Sequence, residues 1–319
     1  MVGQAEVITN IKDMKLQEWL NHRKKGIGGS DAAAVAGVNP FSTPMEVFLK
    51  KTDQIPSNKE DNEAMRIGRD LEDYVADRFC EKRTKDTGEE VKVWNVNQML
   101  RHPEYKFMIA DLDKRVVGED ALLECKTTVD YNNNWINDSF PDMVAIQAQH
   151  YLAVTGYGKA YLAVLILNSR QFKYYEIKRN EEIIEMLIEI EKGFWENNVK
   201  AGNPPEIDGS KASEQLLKDM YPEAKEGKTK QLEPDIEVLI EEREEYKEIE
   251  KKYKTLRKGI ENKIKDQLGE AEVGILNGEE VVKWKNINST RFNKKKLKEE
   301  HPDIYKKYIY ESSYRRLYL

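Results

Sequence analysis

Residues 109–128 read IADLDKRVVGEDALLECKTT, two apolar runs that each turn abruptly charged, joined through Gly118 and Glu119. A two-residue loop with glycine first suits a type II′ hairpin turn, so the stretch predicts two antiparallel strands. The resulting register sets Asp113 opposite Glu124 and Asp111 opposite Lys126, and side-chain alternation puts all four on one face. Two carboxylates directly opposite each other repel unless a cation lies between them. A hard divalent ion such as Mg2+ resolves that conflict. The plain alternative is an exposed hairpin edge whose charges are solvated and partly paired. The apolar residues before Asp111 and before Glu124 favour the metal, because charges adjoining a buried strand are expensive and usually functional.

Outward from that hairpin, 319 residues suffice for one substantial core and an appended module. A net charge of −6 excludes a broad basic field, so any nucleic-acid contact must be local. The two cysteines, Cys80 and Cys125, exclude a disulfide framework or multi-cysteine metal site. The N-terminus has no apolar leader, and no run approaches the roughly 18–20 apolar residues that span a bilayer. A soluble, reducing, cytoplasmic setting without membrane contact is expected, with Cys125 a small strand hydrophobe rather than a nucleophile.

Along the chain, residues 13–25 suggest a helix, GIGGSDAAAVAG breaks it and restarts another at Ser30, and Thr43 and Pro44 open a third. Apolar spacing over 59–83 predicts an amphipathic helix. EVKVWNV, KFMIADLDKRVV and ALLECKTT read as consecutive strands, PDMVAIQAQHYLAVTG as a helix ended by Gly156, and KAYLAVLILN with QFKYYEIK as a hairpin before a helix over 180–200. The expected organisation is a first domain at 1–202, a Pro/Gly/Lys/Glu linker at 203–233 and a helix-and-hairpin module at 234–319, its hairpin turning at Asn277-Gly278.

Asp113 followed by Glu124-x-Lys126 on the next strand resembles the core of PD-(D/E)XK nucleases. With WLNHRKKGIGGSDAAAVAGVNPFSTPMEVFLKKT, RIGRDLEDYVADRF and QAQHYLAVTG in this order, the chain resembles the phage-type exonucleases of the YqaJ and lambda exonuclease group over roughly residues 19–200. The resemblance implies a restriction-endonuclease-like α/β fold, a mixed central sheet flanked by helices. It implies metal ligation by Asp113, Glu124 and the Cys125 carbonyl, with Glu72 near the metals and Lys126 positioning or activating the attacking water. The proline usual before the motif's aspartate is replaced by Leu112. Gln147 and Tyr151 stand four apart on one helix face, resembling the Gln-x-x-x-Tyr element of related nucleases, while a paired glutamine in the family keeps Gln149 a candidate as well. His150 reads as a packed histidine.

In RKKGIGGSD, Arg23, Gly28, Gly29 and Ser30 resemble the family's pocket for a 5′-terminal phosphate. An ordinary helix cap is the alternative, and Asp31 would oppose a phosphate. Residues 281–319 carry 11 Lys or Arg against 4 Asp or Glu, interleaved with aromatics such as Trp284 and Tyr305. They suit a DNA backbone, a small aromatic core or a docking partner. The reading is thus a Mg2+- or Mn2+-dependent deoxyribonuclease. Family resemblance implies digestion of duplex ends 5′ to 3′, a single-strand annealing protein as partner, a homotrimer, and a phage or prophage origin. The alternatives are an endonuclease or single-strand nuclease of the same fold, or a non-enzymatic DNA-end or recombinase-binding module.

Overall fold

The computed structural model describes residues 4–56, 62–130, 135, 139–311 and 313–319, which fall into two units, Met1–Met220 and Tyr221–Leu319. The first opens with β1 (Glu6–Asn10), α1 (Leu16–Arg23), α2 (Gly29–Val35) and α3 (Pro44–Lys51). The Thr43 side chain accepts from the Glu46 amide at 3.1 Å and Pro44 takes the first helical position, as expected of that start. Ser30 does not cap α2. Gly28 is the capping residue, and the Asp31 carboxylate accepts from its amide at 3.0 Å, so the acid three positions on displaces the serine from that role.

The 25-residue α4 (Glu63–Thr87) carries the predicted amphipathic pattern, whose residues 59–61 lie outside the described residues. Then come β2 (Val93–Asn95), β3 (Gln98–Arg101), β4 (Ile109–Asp111), β5 (Lys114–Val116) and β6 (Ala121–Thr128). After these, α5 (Asp142–Thr155) ends at Gly156, whose φ of 72° is the left-handed conformation glycine adopts without strain. The predicted hairpin is β7 (Lys159–Ile166) with β8 (Gln171–Lys178), and α6 (Glu181–Gly193) runs on through a π-helical stretch at Phe194–Lys200. Helix α7 (Lys211–Met220) lies inside the expected linker. Its Ala212, Ser213 and Leu216 are buried, so the first unit continues past residue 202.

The central sheet has the order β2-β5-β6-β7-β8, with β6 and β7 parallel and the other pairs antiparallel. It is the mixed sheet flanked by helices that the sequence predicted. Alternation sorts the two faces. Ala121, Leu123, Tyr161 and Ala163 pack with Val75 and Phe79 of α4, whereas Leu122, Leu162 and Val164 join Ala148 and Leu152 of α5 in the larger core. Strands buried on both faces explain the nearly continuous apolar runs of β6 and β7. A second, antiparallel sheet has the order β1-β3-β4.

Lys114 lies opposite Leu123 and Arg115 opposite Leu122, the register predicted for the hairpin, with Gly118 at φ 79° in the turn. The hairpin is shorter than expected. KFMIADLDKRVV is two strands in different sheets, and Asp111 pairs with Met99 of β3 instead of facing Lys126.

The second unit comprises α8 (Ile236–Leu268), the hairpin β9 (Val273–Leu276) and β10 (Glu279–Lys283), α9 (Lys294–Glu300) and α10 (Pro302–Tyr308). Asn277 and Gly278 both have positive φ, as the predicted Asn-Gly turn requires. None of its described residues is buried, and Phe292, Tyr308, Tyr310, Tyr314 and Tyr318 stay exposed, so the aromatics do not form a core.

Truncating Leu216 to alanine should destabilise a 1–220 fragment by about 2–5 kcal/mol, and a fragment ending at 202 should unfold at lower urea than one ending at 220. Equal urea midpoints for the two fragments would show that α7 adds nothing to the first unit.

Candidate active site

The chain crosses from β4 to β5, and so from one sheet to the other, through Leu112 and Asp113. At that crossing the Asp113 carboxylate accepts from the Cys125 amide at 2.8 Å, standing in for a strand carbonyl where β5 has run out. Because N–H and C=O of one strand residue point to the same edge, the Cys125 carbonyl faces the gap beside Asp113. The Cys125 side chain turns to the α4 face, and burial holds its thiol well above the ordinary range, protonated and unreactive.

Glu124 and Lys126 project to the α5 face. Lys126 Nζ donates to Glu124 Oε1 at 2.6 Å and to Gln147 Oε1 at 3.1 Å, and Gln147 Nε2 donates to Glu124 Oε1 at 2.7 Å and to the Tyr151 hydroxyl at 3.2 Å. The helix therefore presents Gln147 and Tyr151 together, one turn apart. Gln149 is elsewhere. Its amide donates to the Lys178 carbonyl and accepts from the Asn180 amide, tying α5 to the end of β8, so it is a structural glutamine and not part of this group. His150 is packed as expected, fully buried between Glu191 at 2.8 Å and the Ile109 carbonyl at 2.9 Å.

Burial, and next the neighbouring Glu124, push the Asp113 carboxyl well above its ordinary range, with Lys126 acting against them. Glu124 Oε2 is buried without a hydrogen-bond partner. Among the described residues no three His, Cys, Asp or Glu side chains close into a ready-made cage. Two carboxylates, one with an orphaned oxygen, and a main-chain carbonyl nevertheless suit Mg2+, which keeps several waters and takes only one or two protein carboxylates. Burial alone would lower the Lys126 ammonium, but Glu124 and Asp113 raise it, so it stays charged.

Glu72 opens onto the same cleft as Asp111 and Asp113, a cavity of about 360 Å3. The buried Lys114 holds it at 2.5 Å and Asp73 at 2.9 Å. Sequence reading missed Lys114. The available signal was its place between Asp113 and Val116, where alternation turns it inward toward α4. Asp111 takes the Trp19 indole N–H at 2.6 Å.

Beside this network, Arg23 Nη2 donates to Ser30 Oγ at 3.2 Å and to Asp31 Oδ2 at 3.1 Å, and Lys51 Nζ reaches the same Asp31 oxygen at 2.8 Å. Burial would raise the Asp31 carboxyl, but Lys51 and Arg23 together hold it far below the usual range. Lys51 was another residue missed, because a lysine ending a helix is unremarkable in sequence. The glycines serve close approach. A Cβ on Gly28 would stand 2.6 Å from the Arg23 guanidinium carbon, and one on Gly29 would stand 2.6 Å from the Tyr151 ring and 2.8 Å from Gln147 Cγ.

The family model of the YqaJ-like viral recombinase domain matches residues 18–158. An uncharacterized protein YqaJ of Bacillus subtilis (strain 168) is 40% identical over 316 residues, covering 98% of this chain and 97% of that protein. Among solved structures, the alkaline exonuclease LHK-Exo of Laribacter hongkongensis is similar at a TM-score of 0.46 and 18% identity, over 64% of this chain and 97% of that one. A phage related exonuclease from Haemophilus somnus 129PT aligns at a TM-score of 0.39 and 15% identity, over 64% and 100%.

Replacing Asp113 with asparagine should raise the melting temperature at neutral pH in EDTA, since the amide keeps an acceptor for Cys125 without a second charge beside Glu124. The raised folded-state pKa fixes the sign. The wild-type carboxyl favours the fold most when protonated, and stability falls as pH climbs from the ordinary carboxylate range through the raised value. Mg2+ should restore the wild type and leave Asp113→Asn unmoved. Thermal melts across pH check both, and an equal Mg2+ response in the two proteins would refute the ligand assignment.

Proposed function

We propose that this chain, which belongs to the YqaJ-like viral recombinase family, is a Mg2+-dependent deoxyribonuclease that digests duplex DNA from an end. The observation that carries this reading is the half-buried Asp113 beside the buried Glu124 with its unpartnered oxygen, next to a charged lysine held by Glu124 and Gln147. In this reading Asp113, Glu124 and the Cys125 carbonyl hold the ion, with Glu72 at the rim of the cleft. Bound there, Mg2+ or Mn2+ would polarise the scissile phosphodiester and lower the pKa of water.

The remaining work falls to the chain's own side chains. A lysine held protonated by two carboxylates donates hydrogen bonds and does not abstract protons, so Lys126 positions the attacking water or a phosphate oxygen. Gln147 fixes the Lys126 and Glu124 side chains at once. Tyr151, kept protonated by burial and then by Glu124, orients Gln147.

Arg23 and Lys51 both pair with Asp31 next to Gly28 and Ser30, and Asp111 acts on Arg23 as a further acid. The two cations, together with the guanidinium's remaining N–H groups, suit a terminal 5′-phosphate. Digestion would then run 5′ to 3′ and leave a 3′ strand for an annealing protein during recombination. The exposed lysines and tyrosines of 281–319 offer a second surface for the DNA backbone.

Incubating end-labelled linear duplex and closed circles with and without Mg2+ tests the reading: linear DNA should be consumed only with the ion, and circles should persist. Lys126→Ala should lower the rate by about 10²–10³-fold while DNA binding is retained. Metal-independent cutting, or wild-type rates for Lys126→Ala, would overturn it. Arg23→Ala should erase a preference for 5′-phosphorylated over 5′-hydroxyl ends while leaving Mg2+ binding intact, and a preserved preference would return this pocket to a purely structural role.

A further inference from the structure

Helix α8 runs for 33 residues with none of them buried. Between residues 246 and 260 its apolar side chains nevertheless keep one spacing, which Glu242 and Lys263 interrupt on either side. Tyr246, Ile249, Tyr253, Leu256 and Ile260 recur at alternating steps of three and four, with Leu239 one heptad before them, and stand 40–66% exposed. That spacing is the seam of a coiled coil and not of a solvated single helix, which needs no such stripe.

The charges on the same helix are segregated along its length. Residues 236–250 hold seven glutamates against Arg243 and Lys247, while 251–268 hold seven lysines or arginines against Glu261 and Asp266. A helix dipole favours this polarity, but its influence fades within the first and last turns. Intrahelical pairs such as Glu244–Lys247 and Glu248–Lys251 use only part of the charge.

We infer that the exposed seam of α8 pairs antiparallel with α8 of a second copy of this chain. Antiparallel pairing sets the acidic half of each helix on the basic half of the other. Parallel pairing would stack acid on acid and base on base, and its flanking positions would oppose Glu245 to Glu250 and Lys252 to Arg257. A partner also supplies what the second unit lacks, because a segment with no buried side chain cannot offset its own conformational entropy by burial. A two-fold contact between identical surfaces is the commonest way identical chains associate.

The test is the mass of the full-length protein by sedimentation, compared with an Ile249→Glu/Leu256→Glu variant. Whatever association the first unit contributes, the variant should have half the wild-type mass at the same concentration, with cleavage of short linear duplex unchanged. Equal masses would overturn the proposal. Orientation is read in a Cys80→Ala/Cys125→Ala background. A cysteine at Tyr246 in one preparation and at Lys263 in another should cross-link on mixing far more than Tyr246→Cys does with itself. Self cross-linking at 246 would instead establish a parallel coil and refute the antiparallel one.

Discussion

The bond from the Cys125 amide to the Asp113 carboxylate is where the architecture of the first unit is decided. A carboxylate takes the place of a strand carbonyl, so the chain can arrive from the β1-β3-β4 sheet and begin β5 only at Lys114 without orphaning the Cys125 amide on the edge of β6. The same exchange brings a negative charge into a buried setting beside Glu124. Everything nearby answers that charge. Lys126 and Gln147 hold one oxygen of Glu124, Lys114 gathers Glu72 and Asp73, and Trp19 ties down Asp111. What they leave unmet, Glu124 Oε2, is the part that calls for a ligand.

The hairpin register was legible because two constraints agreed, a glycine-led turn and a two-residue alternation that can face the core only one way. The same reasoning overreached at Asp111, since nothing local says where a ladder ends. The glycines of GIGGS suggested a backbone open to anions, whereas Gly28 and Gly29 clear space for Arg23, Tyr151 and Gln147, contacts between residues far apart in sequence. Gln147 and Gln149 are indistinguishable by type, and only the packing of α5 between β6 and the end of β8 sends one to Glu124 and the other to main chain. Strands β1 and β3 were not anticipated, and α7 was masked by the Pro- and Gly-rich residues around it.

The two units rest on different physics. The first is built by burial on both faces of a sheet, so its buried charged residues are few, and those described are paired or sit in the candidate site. The second has long helical periodicity, many like-placed charges and no buried side chain among its described residues, so its information lies in surface pattern. A composition-based reading sees both as ordinary charged protein, and the distinction emerges only from where the apolar atoms end up.

Gly29 leaves no room for a side chain between the start of α2 and the Gln147–Tyr151 face of α5. On the proposed function, the residues that hold a DNA end and those that cut it are therefore separated by the thickness of one glycine, across a contact between two packed helices. Such a contact acts as a gauge. On that reading it would fix how far a gripped terminus stands from the bond that breaks. A larger residue at this position would have to push Tyr151 and Gln147 aside, and so would disturb both sides of the contact at once.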